Sequence, residues 1–114
     1  MAVRNGGYRS PELGNKLDYL FGKSKGDDHS VTRSLSLSDS LEQIGIRDNP
    51  AGRKYMTEQL VDALFTTNNV LGPGTTADSI IKESLIAGPY GFRLMQSAWI
   101  DNKLVTIYLL WGKF

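Results

Sequence analysis

The chain has 114 residues, no cysteine and one histidine, and its 13 Lys and Arg residues nearly balance its 12 Asp and Glu residues. The length suits one domain, and the lack of cysteine excludes a disulfide scaffold, a thiol nucleophile and a cysteine zinc site. One histidine excludes a multi-histidine metal site, and a net charge of +1 is not typical of a strongly basic nucleic-acid-binding domain.

The amino-terminal part of the chain predicts a lead-in followed by a short helix. Residues 1–12 contain the structure breakers Gly6-Gly7 and are predicted to be a flexible lead-in, whereas residues 13–114 are predicted to form one domain. The next apolar residues recur at helical spacing, namely Leu13, Leu17, Leu20 and Phe21. They predict a short helix that ends at Gly22, since glycine commonly terminates helices.

Two longer helices are predicted next. Asp27 or Asp28 caps the first of them, and Gly45 ends it. Its inner stripe is predicted from the spacing as Val31, Leu35, Ser38, Leu41 and either Ile44 or Gly45. Asn49-Pro50 begins the second, because Asn is a good cap and Pro fits the first helical turn. That helix is predicted to end near Phe65, with its inward residues being Met56, Leu60, Ala63 and Leu64.

From residue 66 onward the pattern changes from helical spacing to turns and alternation. Val70-Leu71 is predicted as a brief strand. Three longer strands are predicted at 79–86, 92–100 and 103–111. Segment 87–91 joins the first pair, and an Asp101-Asn102 turn joins the second. The order predicts an α+β domain in which N-terminal helices pack on one face of a small C-terminal antiparallel sheet.

The last predicted hairpin separates its residues into two faces. A two-residue turn places Ser97 opposite Thr106. The almost wholly apolar face is predicted to meet the helices and comprises Phe92, Leu94, Gln96, Ala98, Val105, Ile107, Leu109 and Trp111. The mixed face is predicted to be open and comprises Arg93, Met95, Ser97, Trp99, Leu104, Thr106, Tyr108 and Leu110. The mixed face is either a solvated surface or a binding surface for a nucleotide, whose phosphate Arg93 would contact. A shift of the strand pairing by one residue would exchange the two faces.

Few residues of the chain suit acid–base chemistry. His29 carries the imidazole of the chain, the side chain best suited to general acid–base catalysis, and Arg33 lies four residues on, so both occupy one face of a helix. Glu83 lies in a predicted strand and is either a general base or a structural ion-pair partner. Thr106 and Tyr108 are either donors to phosphate or cross-strand packing residues. The sequence contains no phosphate-binding loop or metal-ligand pattern, so no metal or cofactor is expected.

The charges are unevenly distributed along the chain. Residues 1–26 carry five Lys and Arg and two Asp and Glu, residues 27–49 carry two and five, and residues 79–114 carry four and two. The basic segments predict either a mixed-charge solvated surface or a basic patch on one side of the fold. No apolar run approaches the ~20 residues that span a membrane, so no membrane contact is expected of the domain.

Short segments in a fixed order carry a resemblance to a known family. They are Lys16-Leu17-Asp18-Tyr19-Leu20-Phe21-Gly22, His29-Ser30, Arg33-Ser34, Gly45-Ile46, Asn49-Pro50, Glu83-Ser84-Leu85, Gly88-Pro89, and Trp99 with Asn102-Lys103-Leu104-Val105-Thr106. This order resembles the C-terminal toxin domains of large bacterial contact-dependent growth inhibition effectors and related filamentous haemagglutinin-type polymorphic toxins. The resemblance covers about residues 13–110, nearly the whole chain.

The resemblance implies a metal-independent ribonuclease that cleaves tRNA near its acceptor end. It also implies a fold of the barnase–EndoU–colicin–RelE type, in which helices pack on a small antiparallel sheet and the site lies on the open sheet face. The implied partners are tRNA, a cognate immunity protein and, for some of these toxins, elongation factor Tu. Such a domain is secreted as part of a large cell-surface effector and acts in the cytoplasm of the target bacterium.

The resemblance also assigns roles to residues at matching positions. His29 is the general acid or base and Arg33 the phosphate clamp, Thr106 donates to phosphate, and Glu83 is a base or a structural support. Tyr108 joins these catalytic candidates from the face argument alone. The predicted substrate-binding cations are Lys23, Lys25, Lys82 and Arg93. The alternative function is a non-catalytic protein-binding module of a secreted bacterial protein, whose mixed sheet face docks a protein.

Overall fold

Three helices precede a four-stranded sheet in the computed structural model, which describes residues 13–75 and 78–111. The helices are α1 (Lys16–Leu20), α2 (Asp28–Gln43) and α3 (Pro50–Phe65). The strands are β1 (Val70–Pro73), β2 (Ile80–Gly88), β3 (Gly91–Ile100) and β4 (Lys103–Trp111). Every neighbouring pair of strands is antiparallel, in the order β1-β2-β3-β4, so the predicted α+β class is confirmed. The predicted lead-in, residues 1–12, lies outside the described residues.

Local capping explains where the two long helices begin. The Asp27 carboxylate accepts a 2.8 Å hydrogen bond from the Ser30 amide, and this bond holds the pKa of Asp27 below its usual value. The Asn49 side chain accepts a 2.8 Å bond from the Gly52 amide, and Pro50 opens the helix as predicted. Helix α3 begins at Pro50 and ends at Phe65, and both positions match the sequence prediction. None of the described helices combines the length and apolar character needed to cross a membrane.

The predicted inner stripe of α2 is wrong at Leu35. Leu35 was expected to face inward but is 56% exposed, whereas Ser34 and Leu37 are buried. The physical reason is a polar contact with α1: the Ser34 hydroxyl donates a 2.6 Å bond to the Tyr19 carbonyl and accepts one from the Ser24 amide. A small hydroxyl thus stabilises a close α1–α2 approach that apolar spacing does not predict.

The hydrophobic core lies between the helices and one face of the sheet. Its fully buried helical side chains are Leu20, Leu41, Met56 and Leu60, and those of the sheet are Ile86, Met95, Trp99, Leu104 and Ile107. Because all three described helices pack on this face, none of them lies on the opposite face of the sheet, which is here called the open face.

A bulge in β4 decides which side chains of the last hairpin meet the helices. The two strands begin in the predicted register at the turn, but Ala98 rather than Ser97 then lies opposite Thr106. β4 therefore contains one extra residue, Val105, before the pairing resumes. This bulge moves the whole of β3 to the opposite side from the one predicted.

The observed faces follow from that shift. The side of β3 that packs on the helices comprises Arg93, Met95, Ser97 and Trp99, all buried and all predicted to be open. The open face of β3 comprises Phe92, Leu94, Gln96 and Ala98. On β4, Ile107 packs inward and Thr106 and Tyr108 lie on the open face, as predicted, whereas Leu104 is buried against expectation. The alternation pattern therefore assigned the wrong set of β3 residues to the helices, because the more apolar set lies on the open face.

The turn between β2 and β3 packs tightly against the end of α2, which makes Gly88 sensitive to substitution. A Cβ at Gly88 would lie 2.1 Å from the Ile44 carbonyl oxygen, which also accepts a bond from the Tyr90 amide. We expect Gly88→Ala to lower the free energy of unfolding by about 1–3 kcal/mol, because backbone must move to relieve the overlap. Urea unfolding measures this effect. The control Gly26→Ala, whose Cβ would lie 3.2 Å from the Ser30 side chain, should cost less, and equal costs would contradict the close approach.

Candidate active site

Polar side chains from three strands form one row across the open face. Gln96 lies between Glu83 on β2 and Tyr108 on β4 in the strand pairing, so all three side chains share this face. Neighbouring strands lie about 4.8 Å apart, which separates the outer two backbones by about 10 Å. The Gln96 amide donates a 3.2 Å hydrogen bond to a Glu83 carboxylate oxygen. A half-buried carboxylate is thus held in place beside a wide, open surface.

A small cavity of about 50 Å³ adjoins this row. Thr106 and Tyr108 line it from β4, and Gln96 lines it from β3. Ser79 and Gly74 close it at the end next to β1. Hydroxyl and amide groups therefore line a space beside Gln96, and such groups can donate hydrogen bonds to an anionic oxygen.

Helix α2 contributes a cation to the open face at its β4 edge. The Arg33 guanidinium carbon lies 4.9 Å from the centroid of the Tyr108 ring, within the range of a cation–π contact. This contact joins two predicted catalytic residues that are far apart in the sequence. Arg33 is thereby held near the polar row, where its planar group can bind a phosphate with two parallel hydrogen bonds.

His29 lies one helical turn before Arg33, so the two side chains project from the same side of α2. The side chain is exposed, and within the described ranges it makes no hydrogen bond. Its charge helps to lower the pKa of Asp27, after the larger effect of the bonds from Ser30. His29 is therefore exposed on the Arg33 side of α2.

Two predicted substrate-binding cations lie on the helix side of the sheet, away from Glu83. The Lys82 ammonium donates to the carbonyl oxygens of Leu64 (2.5 Å) and Thr66 (2.7 Å) at the end of α3, and burial lowers its pKa. Arg93 is 6% exposed, and its guanidinium donates a 2.7 Å bond to the Gln43 side chain. The placement of Arg93 on the open face was thus wrong because of the bulge in β4. These contacts favour structural roles for both cations.

Sequence reasoning missed Gln96 as a member of the site. It was assigned to the helix-packed face because the predicted register lacked the bulge. The signal that was available is its polarity, since it is the one polar residue in an otherwise apolar set. Among the residues that the structure describes, no group of three or more His, Cys, Asp or Glu side chains is arranged to hold a metal ion.

The chain is similar to a solved structure of a bacterial toxin system. A chain of a contact-dependent growth inhibition toxin–immunity protein complex from Klebsiella pneumoniae 342 superposes with a TM-score of 0.73. The two chains are 26% identical, and the match covers 90% of this chain and 95% of the other. No protein-family model and no curated protein sequence matches this chain. The fold of this chain is therefore that of a domain from a contact-dependent growth inhibition system.

Proposed function

We propose that this domain is an antibacterial toxin that cleaves tRNA near its acceptor end without a metal ion. The observation that carries the proposal is the contact of Arg33 with Tyr108 beside the Glu83 row, on a fold similar to that in a growth inhibition complex. An anionic substrate needs a cation and hydrogen-bond donors, and proton transfer needs a base. The open face offers each of these groups within one exposed surface.

The reaction is an attack of a ribose 2′-hydroxyl on the adjacent phosphate. Glu83 accepts the proton of the 2′-hydroxyl as the new P–O bond forms, and the bond from phosphorus to the 5′-oxygen breaks. His29, in its protonated form, gives a proton to the departing 5′-oxygen. The products are a cyclic phosphate and a free 5′-hydroxyl, so atoms and protons balance without a further reactant.

Charge stabilisation belongs to the remaining residues of the site. Negative charge builds up on the phosphate oxygens as the phosphorane forms, and Arg33 and Thr106 are the groups that we assign to them. Tyr108 holds the guanidinium by its ring and offers its hydroxyl as a further donor. These groups preorganise the surface before the substrate binds.

The proposal includes partners that the family resemblance implies. A cognate immunity protein neutralises the domain in the producing cell, in line with the toxin–immunity complex in which the similar chain is found. Elongation factor Tu is the proposed helper in the target cell, where it presents aminoacylated tRNA. The domain reaches that cytoplasm as part of a larger secreted effector.

Incubation of the purified chain with total tRNA tests this function. The reaction is run with and without elongation factor Tu, and we expect the cleavage to persist in excess chelator. The variant His29→Ala should be slower by roughly 10²-fold, because it removes the proton donor. Arg47→Ala, an exposed cation in the α2–α3 connection, serves as the control and should retain full activity. Intact tRNA under every condition would contradict the proposal.

A protein-binding module is the second candidate, and one observation favours it. Leu85 is 50% exposed and Leu110 is 40% exposed on the open face next to the polar row. Each of them lies opposite Leu94 in the strand pairing, so the three leucines form a second row. Exposed apolar rows of this kind often mark protein contacts. Absence of cleavage together with stable binding of a partner through these leucines would favour this function over the enzymatic one.

A further inference from the structure

A lysine-rich cleft lies outside the open face, between α1 and the start of α2. Its volume is about 630 Å³, and its cationic lining residues are Lys16, Lys23 and Lys25. Polar groups of the connecting loop and of α2 complete the lining, including Ser24 and Ser30. The cleft is thus both positively charged and rich in hydrogen-bond donors.

A second cleft continues from the first along the edge of the sheet. It has a volume of about 520 Å³ and shares Asn15 and Lys16 with the first. Lys103 and Val105, at the start of β4, line its other side. Val105 directly precedes Thr106 of the candidate site. The two clefts therefore form a path from the loop before α2 to the start of β4.

Within residues 13–75 and 78–111, the acidic side chains that line the first cleft or pair with its lysines are Asp18 and Asp48. Asp18 lines the first cleft, but its carboxylate is bound at 2.8 Å by Arg53 of α3. Lys23 forms a 3.7 Å ion pair with Asp48 while its side chain stays 62% exposed, and an exposed pair of this kind is weak. A polyanion in the clefts would meet lysines whose charge is available.

We infer that these two clefts form one binding surface for the phosphate backbone of the RNA, beyond the nucleotide that reacts. It is called the lysine track here, after its cations Lys16, Lys23, Lys25 and Lys103. The inference rests on the proposed function, since it takes an RNA as the ligand. Lysine ammonium groups bind phosphates as point charges without reading sequence. The track therefore supplies affinity and orientation, whereas the open face supplies chemistry.

The lysine track shows how a chain of low net charge can bind a polyanion. Its four cations line two clefts that share Asn15 and Lys16. A local patch of this kind creates a positive field although the whole chain carries only +1. Binding to RNA through phosphates is then expected to weaken steeply with salt.

The test compares two double variants that each remove two exposed cations. Lys25→Gln/Lys103→Gln changes one residue of each cleft, and the matched control Arg47→Gln/Lys54→Gln changes two exposed cations elsewhere. Equilibrium binding of total tRNA is measured at several salt concentrations in excess chelator, and thermal unfolding verifies that both variants fold. The charge-preserving variant Lys25→Arg/Lys103→Arg separates loss of charge from loss of shape.

We expect the track variant to bind tRNA roughly 10-fold more weakly than the wild type at low salt, with the slope of log affinity against log salt reduced by about 1–2. The control and the arginine variant should bind like the wild type. Equal binding by both glutamine variants, or absence of tRNA binding by the wild type, would overturn the track. Cleavage is scored separately, so a chain that binds tRNA through the track without cutting it rejects the proposed function alone.

Discussion

Glutamine in place of Glu83 should lower the rate of RNA cleavage by roughly 10²–10⁴-fold, which is the usual contribution of a general base. The substitution preserves the size of the side chain and leaves an oxygen that accepts the bond from Gln96. It removes the proton acceptor, so the effect should appear in kcat and leave tRNA affinity unchanged. Single-turnover cleavage of tRNA with saturating enzyme measures that step.

The control for this substitution is Glu58→Gln on the exposed side of α3, which removes an equal charge far from the open face. It should cleave at the wild-type rate. If Glu83 has only a structural role, the glutamine variant will retain its rate and show a lower free energy of unfolding instead. That outcome would assign the base to another residue and would contradict the proposed chemistry.

Alanine in place of Arg33 is expected to slow cleavage by roughly 10²–10³-fold, because it removes a charge that stabilises the phosphorane. The cost in stability should be small. The contact with the Tyr108 ring is partly exposed, and a cation–π contact at such a site contributes about 0.5–1 kcal/mol. A large loss of rate with a small loss of stability separates a phosphate clamp from a packing residue.

Two further variants sharpen this prediction. Arg33→Lys keeps the charge but lacks the planar pair of donors, so it should recover part of the lost rate. Tyr108→Phe keeps the ring beneath the guanidinium and removes only the hydroxyl, so it should be less impaired than Arg33→Ala. Rates for Arg33→Ala that match the wild type would show that the contact with Tyr108 is merely structural.

The helical half of the fold was predictable wherever local chemistry sets it. Asn49-Pro50 fixes the start of α3, since the cap and the ring both act within one turn. The inner side of α2 was not predictable at Ser34, because its burial depends on hydrogen bonds to Tyr19 and Ser24 of a different segment. Spacing rules describe a helix alone and contain no information about such a partner.

The sheet shows the same limit more clearly. The strands and the Asp101-Asn102 turn follow from alternation and turn residues, and both were predicted closely. The bulge at Val105 was not predicted, because alternation within one strand contains no information about an extra residue in its pairing with the next. With the bulge present, Met95 and Trp99 are buried against the helices. With apolar residues on both sides of β3, only tertiary packing chooses between them.

The residues of the candidate site were predicted one by one, but their arrangement in space could not be derived from the sequence. Arg33 and Tyr108 were each predicted, yet their contact depends on how α2 packs on the β4 edge. Gln96 and Arg93 exchanged sides through the same bulge. The sequence thus indicates which residue types are available, while the packing of helices on the sheet determines which of them meet.

The chemical nature of the cut ends is the most direct test of the account. Total tRNA is cleaved by the purified chain in excess chelator, and the termini of the fragments are identified by mass spectrometry and enzymatic end-labelling. Attack by the 2′-hydroxyl predicts a 2′,3′-cyclic phosphate on one fragment and a 5′-hydroxyl on the other. Fragments that end in a 3′-hydroxyl and a 5′-phosphate, or tRNA that stays intact, would contradict it.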